Sequence, residues 1–381
     1  MILRKGKVPR PTLVVLACLA ASGYFMVEHF QVEVREPWYE AKRAAVKDAG
    51  RGQEVIRAAR ARAGLSLNYD ADPQQTGLIG ADDQGGALTT DRGFLKAKQA
   101  ATHPNLAAVL VGMLKEAGVG EGDPVAVGMT GSFPGANLAT ICAIEEIRAK
   151  PIVITSIGSS TFGANEAELT WLDMEKALFD AGVIRTRSLA ASIGGDKDKG
   201  VGLNKAVIAL MEEAAKRNGV PLIREKTLVQ SIDRRMALFA EAAGDRKIRC
   251  YVNIGGGLAS VGSSVIGNSL IDTGLTKSFV ERNYPTEGVM LKMLRSGKPV
   301  IHLLDFRKLA DDHGLAMEDG LHRGVGEGPV FHSVRYNLWL VVGTLVTLLV
   351  ATILAVRLDL RQALFEDRAP SPSVPPPAPG A

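Results

Sequence analysis

Three glycine- and serine-rich runs carry the residue types best suited to holding a ligand. Thr130-Gly131-Ser132-Phe133-Pro134-Gly135-Ala136-Asn137 follows the β-branched stretch Val125–Met129 and leads into a helical pattern. Ser156-Ile157-Gly158-Ser159-Ser160-Thr161-Phe162-Gly163-Ala164-Asn165 does the same after Ile152–Ser156. Gly255-Gly256-Gly257-Leu258-Ala259-Ser260-Val261-Gly262-Ser263-Ser264 follows Cys250–Ile254. In a parallel sheet the strand carboxyl ends share one edge, where glycine lets the backbone approach a ligand and exposed N–H groups favour an anion. The reading therefore takes Gly131, Ser132, Gly135, Asn137, Gly158, Ser159, Gly163, Asn165, Gly255, Gly256 and Gly257 as ligand-binding residues, with Ser160 a further donor. Taken singly, each loop is also a tight βα turn with a Ser or Asn cap. None has the phosphate-loop spacing or a full G-x-G-x-x-G, so nucleotide binding is unsupported.

A nucleophile is the second chemistry to weigh. Ser132 lies between a strand and a helix, as a nucleophile elbow does, although G-x-S-x-G is absent. Its relay would run through His302 and Asp305, against the simpler reading of His302 as a core residue of its strand. Asp173 and Glu175, two apart, do not share a helix face, and Trp171 beside them reads as packed inward. Gly194–Gly202 is a charged loop that could close over a ligand or simply be solvated. The cations Arg224, Lys226, Arg234, Arg235, Arg246, Lys247 and Arg249 are interspersed with glutamates and read as a solvated face. The aspartates of 66–92 fit no EF-hand register, and that segment reads as a solvated loop. No metal and no cofactor is called for.

The elements that must position these residues alternate. Strands are expected at Val125–Met129, Ile152–Ser156, Ser188–Ile193, Cys250–Ile254 and Pro299–Leu304. Helices are expected at Asn105–Ala117, Leu138–Ala149, Asn165–Ala181, Gly202–Asn218, Thr227–Ala243 and Glu287–Ser296. The fold class is α/β, a mainly parallel sheet with helices on both faces, flanked by an N-terminal and a C-terminal transmembrane helix. The first apolar run, Thr12–Val27, follows Arg4, Lys5, Lys7 and Arg10; an uncleaved anchor is preferred over a signal peptide or a lipobox at Cys18. The second, Leu338–Val356, starts beside Tyr336 and Trp339 and ends at Arg357 and Arg361.

By the positive-inside rule, a cytoplasmic start (1–11), a span (12–29), a juxtamembrane helical region with an acidic loop (30–93), an extracytoplasmic domain (94–335), a second span (336–356) and a cytoplasmic proline-rich tail (357–381) follow. Residues 36–63 read as a helix or helix pair broken near Gly50-Arg51-Gly52. The net charge is +4, no more than the first ten residues supply, so the body carries no field for nucleic acid. Three cysteines exclude a disulfide scaffold; Cys142 and Cys250 could pair or stand as buried thiols.

The stretches GMTGSFPGANLA, SIGSSTFGANEAELTWLDME and NIGGGLASVGSS, set in this order between two terminal spans, resemble the bacterial poly-gamma-glutamate system protein family over about residues 10–360. The resemblance implies an accessory membrane protein of poly-gamma-glutamate synthesis and export in the plasma membrane. Its partners would be the polymer or another carboxylate ligand, the synthase's ligase and membrane subunits, and lipid. It carries over no catalytic residues. The expectation is a binding or scaffolding role; the alternatives are a serine-dependent amide hydrolase or transferase, and an anion-sensing module.

Overall fold

The computed structural model describes residues 10–82, 86–263, 266–278, 280–281, 283–315 and 324–357. The expected cytoplasmic start up to residue 9 and the tail from 358 lie outside the described residues. From the N-terminus run α1 (Arg10–His29), β1 (Val32–Arg35), α2 (Tyr39–Arg62), β2 (Thr89–Asp91), α3 (Leu95–Thr102) and α4 (Leu106–Glu116). Next come β3 (Pro124–Thr130), α5 (Pro134–Glu146), β4 (Lys150–Ser156), β5 (Ser159–Ser160), α6 (Trp171–Asp180), β6 (Ala190–Ser192), α7 (Lys205–Arg217) and α8 (Leu228–Ala243). The rest comprises β7 (Cys250–Ile254), α9 (Leu258–Val261), α10 (Ile266–Ser269), β8 (Gly274–Thr276), α11 (Val289–Arg295), β9 (Val300–Leu303), α12 (Phe306–Asp312), β10 (His332–Arg335) and α13 (Leu338–Arg357).

Arg35–His332 forms one compact unit. Its sheet has the order β6-β4-β3-β7-β9-β8, all parallel except β8, which runs antiparallel to β9. The α/β expectation holds for this mostly parallel sheet; the antiparallel edge strand is an addition. From β3 the chain moves out through β4 to β6 and then returns to β7 on the other side, so the order reverses between β3 and β7. At such a point the loops after the two strands diverge and leave a crevice at the carboxyl edge.

Both faces of the sheet are covered, so the strands are buried throughout rather than half-polar. Val125, Val127 and Met129 of β3 face a cluster with α2, α4 and α5, while Ala126 faces Tyr251, Phe239 and α11. That is the period-two alternation a strand imposes. Gly128 has no side chain because the Tyr251 hydroxyl crosses there: a Cβ would lie 2.2 Å from it. Helix α5 is buried from Pro134 to Glu145, which accounts for its lack of a polar face.

Two expectations change. Residues 39–62 form one unbroken helix whose Ala45, Val46, Ala49 and Ile56 belong to the core, so they are part of the domain and no separate juxtamembrane piece. The Gly50-Arg51-Gly52 break does not occur; Gly52 is instead a buried close approach, where a Cβ would lie 2.7 Å from Leu138. The acidic segment is a solvated loop only in part: Asp70, Asp82 and Asp91 are exposed. Asp72 is buried, accepting the Gly77 N–H at 2.8 Å and the Thr76 hydroxyl at 3.1 Å, and β2 pairs with β5.

The chain ends form the second unit. Helices α1 and α13 are each long and apolar enough to cross a membrane. Most of their apolar side chains are exposed, Leu338, Trp339 and Leu349 among them, which sets them apart from core helices. They touch closely where Gly23 faces the Thr344 methyl, and Tyr336 donates to Glu28 at 2.8 Å. Strand β1 pairs with β10. Cys142 and Cys250 are separate buried thiols.

Helix α6 begins with a capping box between Thr170 and Asp173, and Trp171 is fully buried, as the sequence suggests. Glu175, on the same helix, accepts the Ser188 N–H (2.8 Å) and hydroxyl (2.7 Å), yet burial pushes its carboxyl up to about 7. An acid whose folded pKa lies above its unfolded 4.5 contributes stability that is full below 4.5 and lost as pH rises through 7. His302, pushed down by burial to about 4, acts oppositely over nearly the same window, so the native profile hides both. The stability difference between Glu175→Gln and the native chain should instead grow with pH, reaching about 3 kcal/mol between pH 4.5 and 8. Urea unfolding of the full chain in detergent across that range checks it, and a difference that stays flat refutes it.

Candidate functional site

At the reversal of strand order lies a cavity of about 970 Å³. Thr130, Ser132 and Phe133 come from the end of β3, Ser156, Gly158 and Ser160 from the end of β4 and β5, and Gly256, Gly257 and Leu258 from the end of β7. The three glycine-rich loops therefore share one cavity, as the parallel sheet requires. Gly131 ties the first two loops together: its N–H donates to the Ser156 carbonyl (3.0 Å) and its own carbonyl accepts the Ala164 N–H (2.8 Å). Gly255 opens the third loop with φ +84, a left-handed turn that glycine makes without strain.

Of the opposite wall, only Asp305 was foreseen. Strand β2 and helix α3 contribute Asp91, Arg92, Gly93, Phe94, Lys96 and Lys98, and the β9–α12 turn adds Leu304, Asp305 and Arg307. Arg92, Lys96 and Arg307 are exposed at the mouth. Lys98 is 2% exposed. Its Nζ donates to the Ser132 carbonyl, lies 2.7 Å from Ser160 Oγ and sits 4.0 Å from the Phe133 ring centroid. Among the described residues no carboxylate forms an ion pair with it, and burial pushes its amine down to about 7.

Of the residues expected to bind ligand, Ser132, Gly158, Gly256 and Gly257 line the cavity. The others support it. Asn137 donates to the Thr130 carbonyl (2.9 Å), fixing α5 to the end of β3. Asn165 clamps the acidic segment through Ala81, accepting its N–H at 3.0 Å and donating to its carbonyl at 2.8 Å. Ser159 is buried with its hydroxyl on the Ser160 carbonyl, Gly135 packs on the Ala101 carbonyl and Gly163 on Ser159.

The Ser132–His302–Asp305 relay does not form. Ser132 Oγ accepts the Ser160 N–H at 3.0 Å, buried His302 holds Asn253 at 3.0 Å, and Asp305 caps α12 by accepting the Lys308 N–H at 3.1 Å. Among the described residues no hydrogen bond joins any two of the three. His302 points its ring at a β7 neighbour because its register partner in the sheet is Asn253.

The charged loop 194–202 is anchored rather than loose. Asp198 is buried with φ +60, and its carboxylate meets Arg235 Nη2 at 3.0 Å, the Ser192 hydroxyl at 2.7 Å and the Ser231 hydroxyl at 2.6 Å. Arg235 also donates to Ser156 Oγ (3.2 Å), a cavity residue. Reading Arg235 as one of a solvated row was therefore mistaken: at 2% exposure it is the buried brace behind β4 and β6. Its place on α8 beside buried Ser231 and Ile232, at helical spacing, is the signal that would have found it.

Neither a family model, nor a curated protein, nor a solved structure matches the chain.

Proposed function

We propose that this chain is a membrane-anchored accessory protein of bacterial poly-gamma-glutamate synthesis or export, and that its crevice receives the polymer's carboxylates outside the cytoplasm. The observation that carries the reading is the cavity at the reversal of strand order, with Arg92, Lys96 and Arg307 at its mouth and glycine backbone along one wall. Strong cations and unhindered N–H groups are what a chain of carboxylates selects. Asp91, Asp196 and Asp305 on the same rim offset part of that charge, which favours passage over tight retention. Two helices able to span a membrane, with Arg4, Lys5, Lys7 and Arg10 before the first and Arg361 and Arg368 after the second, support placing the domain on the outer side. The motifs resembling the poly-gamma-glutamate family supply the choice of polymer.

Fluorescent poly-gamma-glutamate titrated against the full chain in nanodiscs tests the reading. Binding should weaken steeply with added salt, and Arg92→Ala combined with Arg307→Ala should weaken it about tenfold or more at low salt. No binding at low salt, or binding indifferent to both arginines, would reject it.

A further inference from the structure

We propose that Ser160 and Lys98 are a catalytic dyad, in which Lys98 takes the Ser160 hydroxyl proton while Ser160 attacks an amide or ester carbonyl seated in the crevice. Ser160 Oγ lies 2.7 Å from Lys98 Nζ, and Ser160 is half-buried on the cavity wall. Its backbone is held from two sides. Strand β5 is registered on β2, with Ser160 opposite Asp91, and the Ser160 N–H donates to Ser132 Oγ at 3.0 Å. Lys98 is equally fixed, its Nζ donating to the Ser132 carbonyl and resting on the Phe133 ring.

A lysine kept for structure normally pairs its charge when buried, because an unpaired ammonium away from water is costly. Here, among the described residues, burial comes with a carbonyl and a hydroxyl as neighbours and no counter-ion, and the amine is pushed down to about 7. Near neutral pH a large share of the molecules then hold Lys98 as a free amine, two of whose features match the geometry: an N–H for the Ser132 carbonyl and a lone pair for the Ser160 hydroxyl. A desolvated lysine beside a serine is one of the ways a hydroxyl is activated.

The reaction balances with water alone. Proton transfer from Ser160 Oγ to Lys98 Nζ accompanies formation of the Oγ–C bond. The tetrahedral adduct collapses by breaking the C–N bond, and the departing amine takes the proton back from the Lys98 ammonium. Water then adds to the Ser160 ester, giving its proton to Lys98, and the C–Oγ bond breaks as Ser160 is reprotonated; an amide and a water have become a carboxylic acid and an amine. Ser132 is a positioning residue in this scheme. The choice of a γ-glutamyl amide as substrate rests on the function proposed above, whereas the dyad itself does not.

The full chain in nanodiscs is treated with a fluorophosphonate, which phosphonylates activated serines, and in parallel with poly-gamma-glutamate whose length is followed on a gel. Labelling is expected at Ser160 by mass spectrometry, with a rate that rises with pH through about 7. It should vanish in Ser160→Ala and fall at least 100-fold in Lys98→Met and in Lys98→Arg, which keeps a cation but cannot serve as a base. The native chain should shorten the polymer and Ser160→Ala should not. Polymer binding without labelling or shortening would overturn the dyad and leave the carboxylate-handling role standing. Labelling at Ser160 without polymer binding would sustain the dyad and overturn the polymer as its substrate.

Discussion

A Lys98→Met chain is expected to be more stable than the native one at neutral pH, by about 2–4 kcal/mol. The amine is taken from 10.5 in water to about 7 by burial alone, and each unit of such a shift is worth about 1.4 kcal/mol. Keeping Lys98 therefore costs close to 5 kcal/mol on this scale, from which the hydrogen bonds to Ser132 and Ser160, about 1–3 kcal/mol, must be subtracted. The sign follows from linkage. A base whose folded pKa is depressed adds stability above its unfolded value, and that stability is lost as pH falls through the folded value. The gain from Lys98→Met should accordingly be small above pH 10.5 and near its full size at pH 7. Urea midpoints of both proteins in detergent at pH 7 and pH 10.5 measure it. Destabilisation by methionine at pH 7 would show the amine to be a net structural asset. A lysine that weakens the fold where it sits is retained for what it does there.

The second large effect lies behind the sheet edge. Asp198→Ala should cost about 3–5 kcal/mol, because it leaves the Arg235 guanidinium buried without a counter-charge. Backbone strain must be separated from this, since Asp198 has φ +60, which alanine tolerates poorly. Asp198→Asn tolerates that conformation and keeps one acceptor but not the charge, so it should recover only a small part of the loss. Adding Arg235→Met to Asp198→Ala should recover most of it. Thermal or urea unfolding of the four proteins decides the matter; an asparagine variant as stable as the native chain would locate the cost in the backbone.

Much of the architecture could be read from residues alone. Cys250–Ile254 coincides with β7, the runs Val125–Met129 and Ile152–Ser156 lie within β3 and β4, and Pro299–Leu304 contains β9. Buried parallel strands announce themselves as continuous β-branched stretches, and long amphipathic helices such as α7 and α8 carry capping residues, Asn204 and Thr227, that mark their starts. What escaped was short or polar. Strands β2 and β5 are Thr-Thr-Asp and Ser-Ser, with no apolar side chain to bury. Helix α3 is eight residues long, has no side-chain cap and reads as polar, yet its buried positions are Lys98, Ala101 and Thr102, at i, i+3 and i+4. A lysine standing where that spacing calls for an apolar residue was the available sign. Chain-distant meetings, α3 against the β3 and β4 loops, or Asp198 against Arg235, depend on the completed fold and leave no local trace. The serine choice shows the same limit: Ser132 has the elbow position, but Ser160 has the base.

The two buried thiols offer a built-in clock. Cys142 lies within α5 and Cys250 in β7, and burial pushes both well above the normal thiol range, Cys250 to about 12. Neither can be alkylated until the strand or helix around it opens. Maleimide added to the untouched chain would thus spare both, and the lag before each is tagged would time how separately the helical layer and the sheet come apart.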